Sequence, residues 1–463
     1  MASISYWVLS PSFLLALWGK WKGWDRTEPT PAVDWKTVTV DVVIPAKNEE
    51  STIALTLASL FQQDYPIRNV TVIDDGSTDH TREVVERFRE LSGRQIELVV
   101  REVSIGKTPS LRQQCRASDS DALMILDSDT VLVERNYLSR CVEELFKNAG
   151  VGAACGELIP WTRQRREEAA KADPVVSRIQ SELGVSPVAK KGRWDAFLEN
   201  CTIIYRKSLY LFLQRILYDG QLKMCGSQLN PVGCAVVYKT KRLRECFDYA
   251  EPLMGDNLSN SEDIFIGHFF SWKGYRNFQV MGVRCESKEP SVLRLHKQLY
   301  LWSSSFVQVL YYFRDLPLSP FRQVRNEAAG LLGVKDATPP KGHDERRRIQ
   351  EQYRLPWGEG YTKRYGRLVG LVDLCSLFDK FVYPLVLLFL ACFNQEAFFI
   401  TLGLEVTLCA AGVFVVADTG TRWKSAGLMV AATPMRLISM GVDIVAAVRY
   451  VADMFTGNRR WRK

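Results

Sequence analysis

The sequence predicts an α/β domain, a parallel sheet wrapped by helices, followed by helices that meet a membrane. Three observations carry this. Between residues 38 and 300, β-branched runs alternate with helical apolar spacing. Two of those runs end in acidic clusters, at the strand C-termini where such sheets bind ligands. Apolar residues make up 47% of the 463, with a mean hydropathy of −0.10, and much of that hydrophobicity sits after residue 367.

Each element follows from its local pattern. Residues 4–18 (ISYWVLSPSFLLALW) are apolar, and Lys20, Lys22 and Arg26 follow. A spanning helix needs about 20 residues, and no small-residue cleavage site is evident. Residues 1–24 are therefore expected to form a short anchor or interfacial helix, with the basic flank cytoplasmic. VTVDVVIPA (38–46) is a strand. NEESTIALTLASLFQQ (48–63) spaces Ile53, Leu57, Leu60 and Phe61 as a helix, with Asn48 as the expected N-cap. A strand over 70–73 runs into Asp74-Asp75-Gly76, and a helix over 80–92 follows. A strand over 95–102, a helix over 108–118 and a strand over 122–127 complete the alternation.

Beyond residue 302 the pattern changes. SFVQVLYYF (305–313) and FRQVRNEAAGLLGV (321–334) read as amphipathic, hence interfacial. Residues 336–366 are polar and proline-interrupted, either a loop near the ligand site or a solvated linker. Residues 381–393, extended back through Leu371–Phe378, and 397–417 are the best spanning candidates. Their three-residue gap suits a helical hairpin, and Glu405 inside the second needs a partner. Pro434, Arg436, Asp443 and Arg449 interrupt 427–455, and a basic tail follows. A re-entrant or interfacial helix keeps that tail inside. The expected division is 1–24, 38–302, 303–367 and 368–463.

Composition excludes several functions. The net charge is +8, but Lys and Arg are interleaved with acids and form no basic stripe with regular aromatics, which argues against nucleic acid. Such a balance suits an anionic membrane face. Eleven cysteines without a CxxC pair, and only four histidines, argue against a zinc cluster and a disulfide framework. Gly106-Lys107-Thr108 resembles the end of a phosphate-binding loop, but Arg101 stands where the required glycine would be.

The stretch MILDSDT (124–130) raises the chemical question: an apolar strand ends in Asp127 and Asp129. Read alone, these acids fit a turn, a helix cap or a metal clamp. If the backbone stays extended, both point the same way.

In order along the chain come IPAKNEE, IDDGSTD, GK before a helix, LDSD, and SED before GHFFSWKGYR. Together they resemble the membrane-bound family-2 inverting glycosyltransferases, synthases of hyaluronan, chitin and cellulose among them. The resemblance covers residues 38–302. It implies a GT-A (Rossmann-like) nucleotide-sugar-binding domain with C-terminal interfacial and transmembrane helices, in the plasma or inner membrane with the catalytic domain cytoplasmic. It also implies a donor, a UDP-sugar by expectation, and a hard cation, Mn2+ or Mg2+, on the departing diphosphate.

Roles follow from the same resemblance. Asp127 and Asp129 would hold the metal, Asp127 also meeting the donor. Pro45, Ala46, Glu49, Asp74 and Asp75 would line the nucleoside pocket, with Lys107 near the donor. Asp263, beside Glu262, would be the general base that inversion requires. Gly233 and Cys234 would line the acceptor site. Processive members carry Gln-x-x-Arg-Trp; here Gln298 and Trp302 keep the spacing, but Leu301 replaces the arginine. Arg294, one turn earlier, is the expected substitute, and Trp302 is either an acceptor platform or a core aromatic. The acceptor is a growing glycan or, alternatively, a lipid. Membrane lipid and further copies of the chain are possible partners. A third reading is a non-catalytic nucleotide-sugar-binding regulator, against which the full set of acids argues.

Overall fold

The architecture is described from a computed structural model, which covers residues 10–23, 33–147, 150–188, 192–255, 261–321 and 368–456. Among the described residues, eight strands form one sheet in the order β3-β2-β1-β4-β7-β6-β8-β5. They are β1 (Val40–Ala46), β2 (Asn69–Asp75), β3 (Glu97–Arg101), β4 (Ala122–Leu126), β5 (Thr130–Leu132), β6 (Val151–Pro160), β7 (Ala235–Lys239) and β8 (Arg276–Ser287). The first twelve helices are α1 (Pro11–Lys22), α2 (Ile53–Leu60), α3 (Thr81–Ser92), α4 (Lys107–Ala117), α5 (Tyr137–Lys147), α6 (Arg163–Ala172), α7 (Pro174–Leu183), α8 (Arg193–Phe212), α9 (Asp219–Cys225), α10 (Thr240–Met254), α11 (Glu262–Lys273) and α12 (Val292–Tyr312).

The expected parallel sheet is half of the answer. β1 to β4 are parallel, as the strand–helix alternation requires. β7 then runs antiparallel to both β4 and β6, and β5 antiparallel to β8. The sheet is therefore mixed. Alternate side chains feed two cores: Val42, Ile44, Met124 and Leu126 pack on one face, Val43, Leu123 and Ile125 on the other. This period of two explains why β4 is apolar throughout and β1 nearly so: both faces are covered, and the one charge in β1, Asp41, is paired with Arg68 at 2.6 Å.

Asn48 is not a helix cap. It sits at φ +58°, the only left-handed non-glycine among the described residues. Its N–H donates to Ser77 Oγ at 3.0 Å and its Oδ1 accepts from Thr78 N–H at 2.8 Å, so it ties the β1 loop to the β2 loop. Helix α2 starts five residues later, at Ile53.

Residues 305–313 are not a separate interfacial helix. They continue α12, and Phe306, Val309 and Phe313 are buried in the core. The boundary expected at residue 302 thus falls inside α12. The stretches 321–334, beyond its first residue, and 336–366 lie outside the described residues.

Among the described residues, two helices are long and apolar enough to cross a membrane: α13 (Val369–Phe393, with a π turn at Phe378–Val382) and α14 (Gln395–Val416). Helix α15 (Arg422–Ala431) and α16 (Thr433–Thr456) follow, bent by 48° at the break. Glu405 finds its partner in the guanidinium of Arg436. Helix α1 is tied down at its start, where Ser10 Oγ donates to Asp379 Oδ2 at 2.9 Å. All eleven cysteines are free.

Candidate active site

A cavity of about 540 Å³ opens at the C-terminal end of β4. It gathers Lys107, Asp127, Asp129, Gly233, Cys234, Glu262, Asp263, Gln298 and Trp302, nine of the fourteen residues singled out by sequence. The volume lies in the range of small-molecule sites.

The acids are delivered by a turn, not by extended backbone. β4 ends at Leu126, and Thr130 N–H donates to Asp127 O at 3.0 Å to close the turn. Asp127 N–H donates to Cys234 O at 2.8 Å, which fixes the turn against β7. Asp129 Oδ1 lies 3.3 Å from Thr130 Oγ1 and 3.4 Å from Ser287 Oγ.

Lys107 opens α4 and reaches across the cavity. Its ammonium lies 2.7 Å from Asp127 and 2.6 Å from Glu262. Burial works against its charge, but these two carboxylates outweigh that and hold the pKa well above the ordinary lysine value. Asp75 places it there. Asp75 Oδ1 accepts from Ile105 N–H at 3.0 Å, and Oδ2 from Gly106 N–H at 2.9 Å and Ser104 Oγ at 2.5 Å. Gly106, at φ +96°, makes the turn that only glycine adopts readily.

Asp263 stands in the first turn of α11, beside Glu262. Burial, then the charge of Glu262, push its pKa up to about 7. Asp129 is likewise pushed up to about 7, by burial, then Asp127 and Glu49. A Cβ added to Gly233 would run into the Asp263 carboxyl, so glycine there is what lets the acid lie against the cavity wall.

Pro45, Ala46, Glu49, Asp74 and Asp75 do not line this cavity; they form the adjoining edge where β1 and β2 end in register, Ala46 opposite Asp74. Asp74 and Asp75 are buried, Asp74 accepting from Ser77 N–H at 3.0 Å. Glu49 connects edge and cavity through Lys288, whose Nζ lies 3.3 Å from Glu49 Oε2.

The sequence reading missed four residues here. Lys288, just past β8, and Glu289 line the cavity. Lys380 reaches it from the π turn of α13. The fourth is Arg206 of α8, fully buried, whose guanidinium lies 4.4 Å from the Trp302 ring centroid. It also donates to Gln298 Oε1, and its Nε lies 3.2 Å from Glu289 Oε2. An arginine thus stands beside Gln298 and Trp302, but it comes from another helix. Arg294, the expected substitute, is exposed and does not line the cavity. No spacing rule joins positions 206 and 298, which only the fold brings together.

A mixed sheet of this topology, with acids and a lysine converging at the β4 end, is a GT-A glycosyltransferase fold. The family model described as "Glycosyl transferase family 2" matches residues 41–206. An N-acetylglucosaminyltransferase of Bradyrhizobium elkanii is 30% identical over 128 residues, covering 27% of this chain and 68% of that protein. The chain belongs to glycosyl transferase family 2. The poly-beta-1,6-N-acetyl-D-glucosamine synthase of Staphylococcus epidermidis is 24% identical over 235 residues, 46% of this chain and 55% of that one. The chain thus spans about half the length of that relative. Among solved structures, the mannosyltransferase PcManGT from Pyrobaculum calidifontis, in complex with GDP-Man and Mn2+, aligns over 98% of this chain and 99% of its own, at 16% identity and a TM-score of 0.48.

Proposed function

We propose that this protein transfers a sugar, with inversion, from a UDP-linked donor to a hydroxyl of a growing glycan at the cytoplasmic face of a membrane. The observation that carries this is the single cavity holding Lys107, Asp127, Glu262 and Asp263 at one end and Trp302, Phe306 and Lys380 at the other.

The donor diphosphate enters beside Asp127, Asp129, Lys107 and Lys288. Around Asp129 and Asp263 the carboxyls of Asp127, Glu49 and Glu262 crowd in, against only two lysines, Lys107 and Lys288. This excess of hard oxygen donors fits Mn2+ or Mg2+. Such ions use one or two carboxylates and complete their shell with phosphate and water. Asp129, assisted by Asp127, would hold the cation, which supplies neutralising charge to the leaving diphosphate.

Asp263 takes the acceptor hydroxyl's proton. The oxygen then bonds to the sugar's anomeric carbon as the bond to the diphosphate breaks on the opposite face. A base near pH 7 is well matched to this step. Lys107, released from Asp127 and Glu262, follows the departing charge. The nucleoside lies along the edge made by Pro45, Ala46, Glu49 and Asp74, and Asp75 acts by fixing the loop before Lys107. Gly233 and Cys234 border the acceptor, with Trp302 offering it the ring face that Arg206 leaves open.

A second reading, one sugar added to a lipid-borne acceptor, is favoured by Lys380: an apolar helix contributes to the reaction cavity. The test is product size. Protein in nanodiscs is given a panel of labelled UDP-sugars with Mn2+. A polymer supports the first reading, and a lipid carrying one sugar the second. Absence of both transfer and donor hydrolysis, with the Asp263→Asn variant indistinguishable, refutes both.

A further inference from the structure

Helix α12 has two working faces. Gln298 and Trp302 face the reaction cavity, whereas Lys297 and Leu301 face a separate groove of about 660 Å³ between α12 and α16. The groove is polarised. Ser303 Oγ contacts Asp443, and Arg449 lies 5.6 Å from the Tyr300 ring centroid, so the two helices run antiparallel. His296, Lys297 and Arg449 therefore gather at one end, and apolar Leu301 and Val442 lead away from them. No carboxylate is among the residues that line it. The apolar wall is open: Val445 is 54% exposed. With α15, helix α16 forms a bent pair apolar enough to enter a bilayer.

We propose that this groove is a binding site for an anionic glycerophospholipid. The phosphate sits between Lys297 and Arg449, and one acyl chain lies along Leu301, Val442 and Val445. The charge pattern selects this occupant: an apolar helix from elsewhere in the chain or from a second copy would leave the basic end unanswered, and a zwitterionic lipid would answer it only in part. Leu301 gains a reason as well. An arginine there would face the acyl chain, and Arg206 supplies the cavity's guanidinium from the other side. The lipid is a bound ligand one helix thickness from the acceptor end, and is not consumed.

Native mass spectrometry of the full chain in detergent, titrated with dioleoylphosphatidylglycerol or dioleoylphosphatidylcholine, tests this. One phosphatidylglycerol is expected to bind in preference to phosphatidylcholine. Lys297→Gln with Arg449→Gln should weaken phosphatidylglycerol about 30-fold, two cations near an anionic headgroup each being worth about fivefold. Phosphatidylcholine should change little. Val445→Trp, which fills the open wall, should weaken both. Raising salt on the unaltered protein gives the charge dependence without a variant, and should weaken phosphatidylglycerol alone. Equal retention of the two lipids, or phosphatidylglycerol retention unchanged in the double variant, overturns the proposal. So does no lipid bound above the detergent blank, the outcome if protein fills the groove.

Discussion

Replacing Asp263 by asparagine should abolish transfer and at the same time stabilise the fold at alkaline pH. Moving a carboxyl from 3.8 to about 7 makes its ionisation cost about 4 kcal/mol in the folded chain. Solvent at the cavity mouth screens part of this, leaving about 2 kcal/mol. The sign follows from proton binding. Between about pH 4 and 7 the folded state holds the proton that the unfolded state has lost, so stability falls as pH rises through this window. Above pH 7 the penalty is fully present. Asparagine keeps the shape and never carries the charge. The variant should therefore melt about 3 °C higher at pH 8.5, on the entropy scale of a domain this size, and match the parent near pH 4.5. Its transfer rate should fall about 10²- to 10⁴-fold, the worth of a general base. Thermal unfolding in nanodiscs at the two pH values, with product formation at pH 7.5, makes the comparison. A variant less stable than the parent at pH 8.5 would refute the buried, repelled carboxyl, and an active one would refute the base.

Gly233→Ala should reduce turnover at least about 100-fold by displacing Asp263, while UDP affinity, measured by calorimetry, stays within about threefold. Arg206→Ala leaves Glu289 buried without its partner and should destabilise by about 3–5 kcal/mol; Arg206→Met with Glu289→Gln should recover most of the melting temperature but not glycan synthesis. Glu405→Ala should cost about 3 kcal/mol by stranding Arg436 among apolar helices, read as loss of monodisperse protein on gel filtration, whereas Glu405→Gln should cost less. Asp129→Asn should abolish the dependence of UDP affinity on Mn2+ and raise the metal-free melting temperature at pH 8.

The elements that could be read from sequence are those whose cause is local. The runs 38–46, 70–73 and 122–127 became β1, β2 and β4 within a few residues because strands covered on both faces are rich in apolar, β-branched residues. The two helices long and apolar enough to span, and the need of Glu405 for a partner, were readable for the same reason: bilayer thickness and desolvation act on the residue itself. What failed depended on distant neighbours. Asn48 has the composition of a cap, but Ser77 and Thr78 reach it first and hold it left-handed. The antiparallel pairing of β7 and β5 has no signature within either short run. For Asp127 and Asp129 the sequence left a turn, a cap or a metal clamp open; they share a turn, which brings both to the same cavity.

Arg206 shows where that limit lies. Sequence revealed the gap, a leucine where a Gln-x-x-Arg-Trp pattern wants a cation, and suggested the nearest arginine on the same helix. Proximity along a helix was the wrong criterion, because α12 turns successive residues toward different surroundings. Gln298 and Trp302 face the reaction cavity, and Leu301 faces the apolar groove. A guanidinium at 301 would enter the groove and not the cavity. The requirement is a positive charge against one face of Trp302, within reach of Gln298 and balanced by Glu289. A residue 92 positions from Gln298 meets it because α8 passes behind α12. A site of this kind is assembled in space rather than along the chain. A departure from a linear pattern is thus better read as a question about which neighbouring element carries the charge than as the loss of a function.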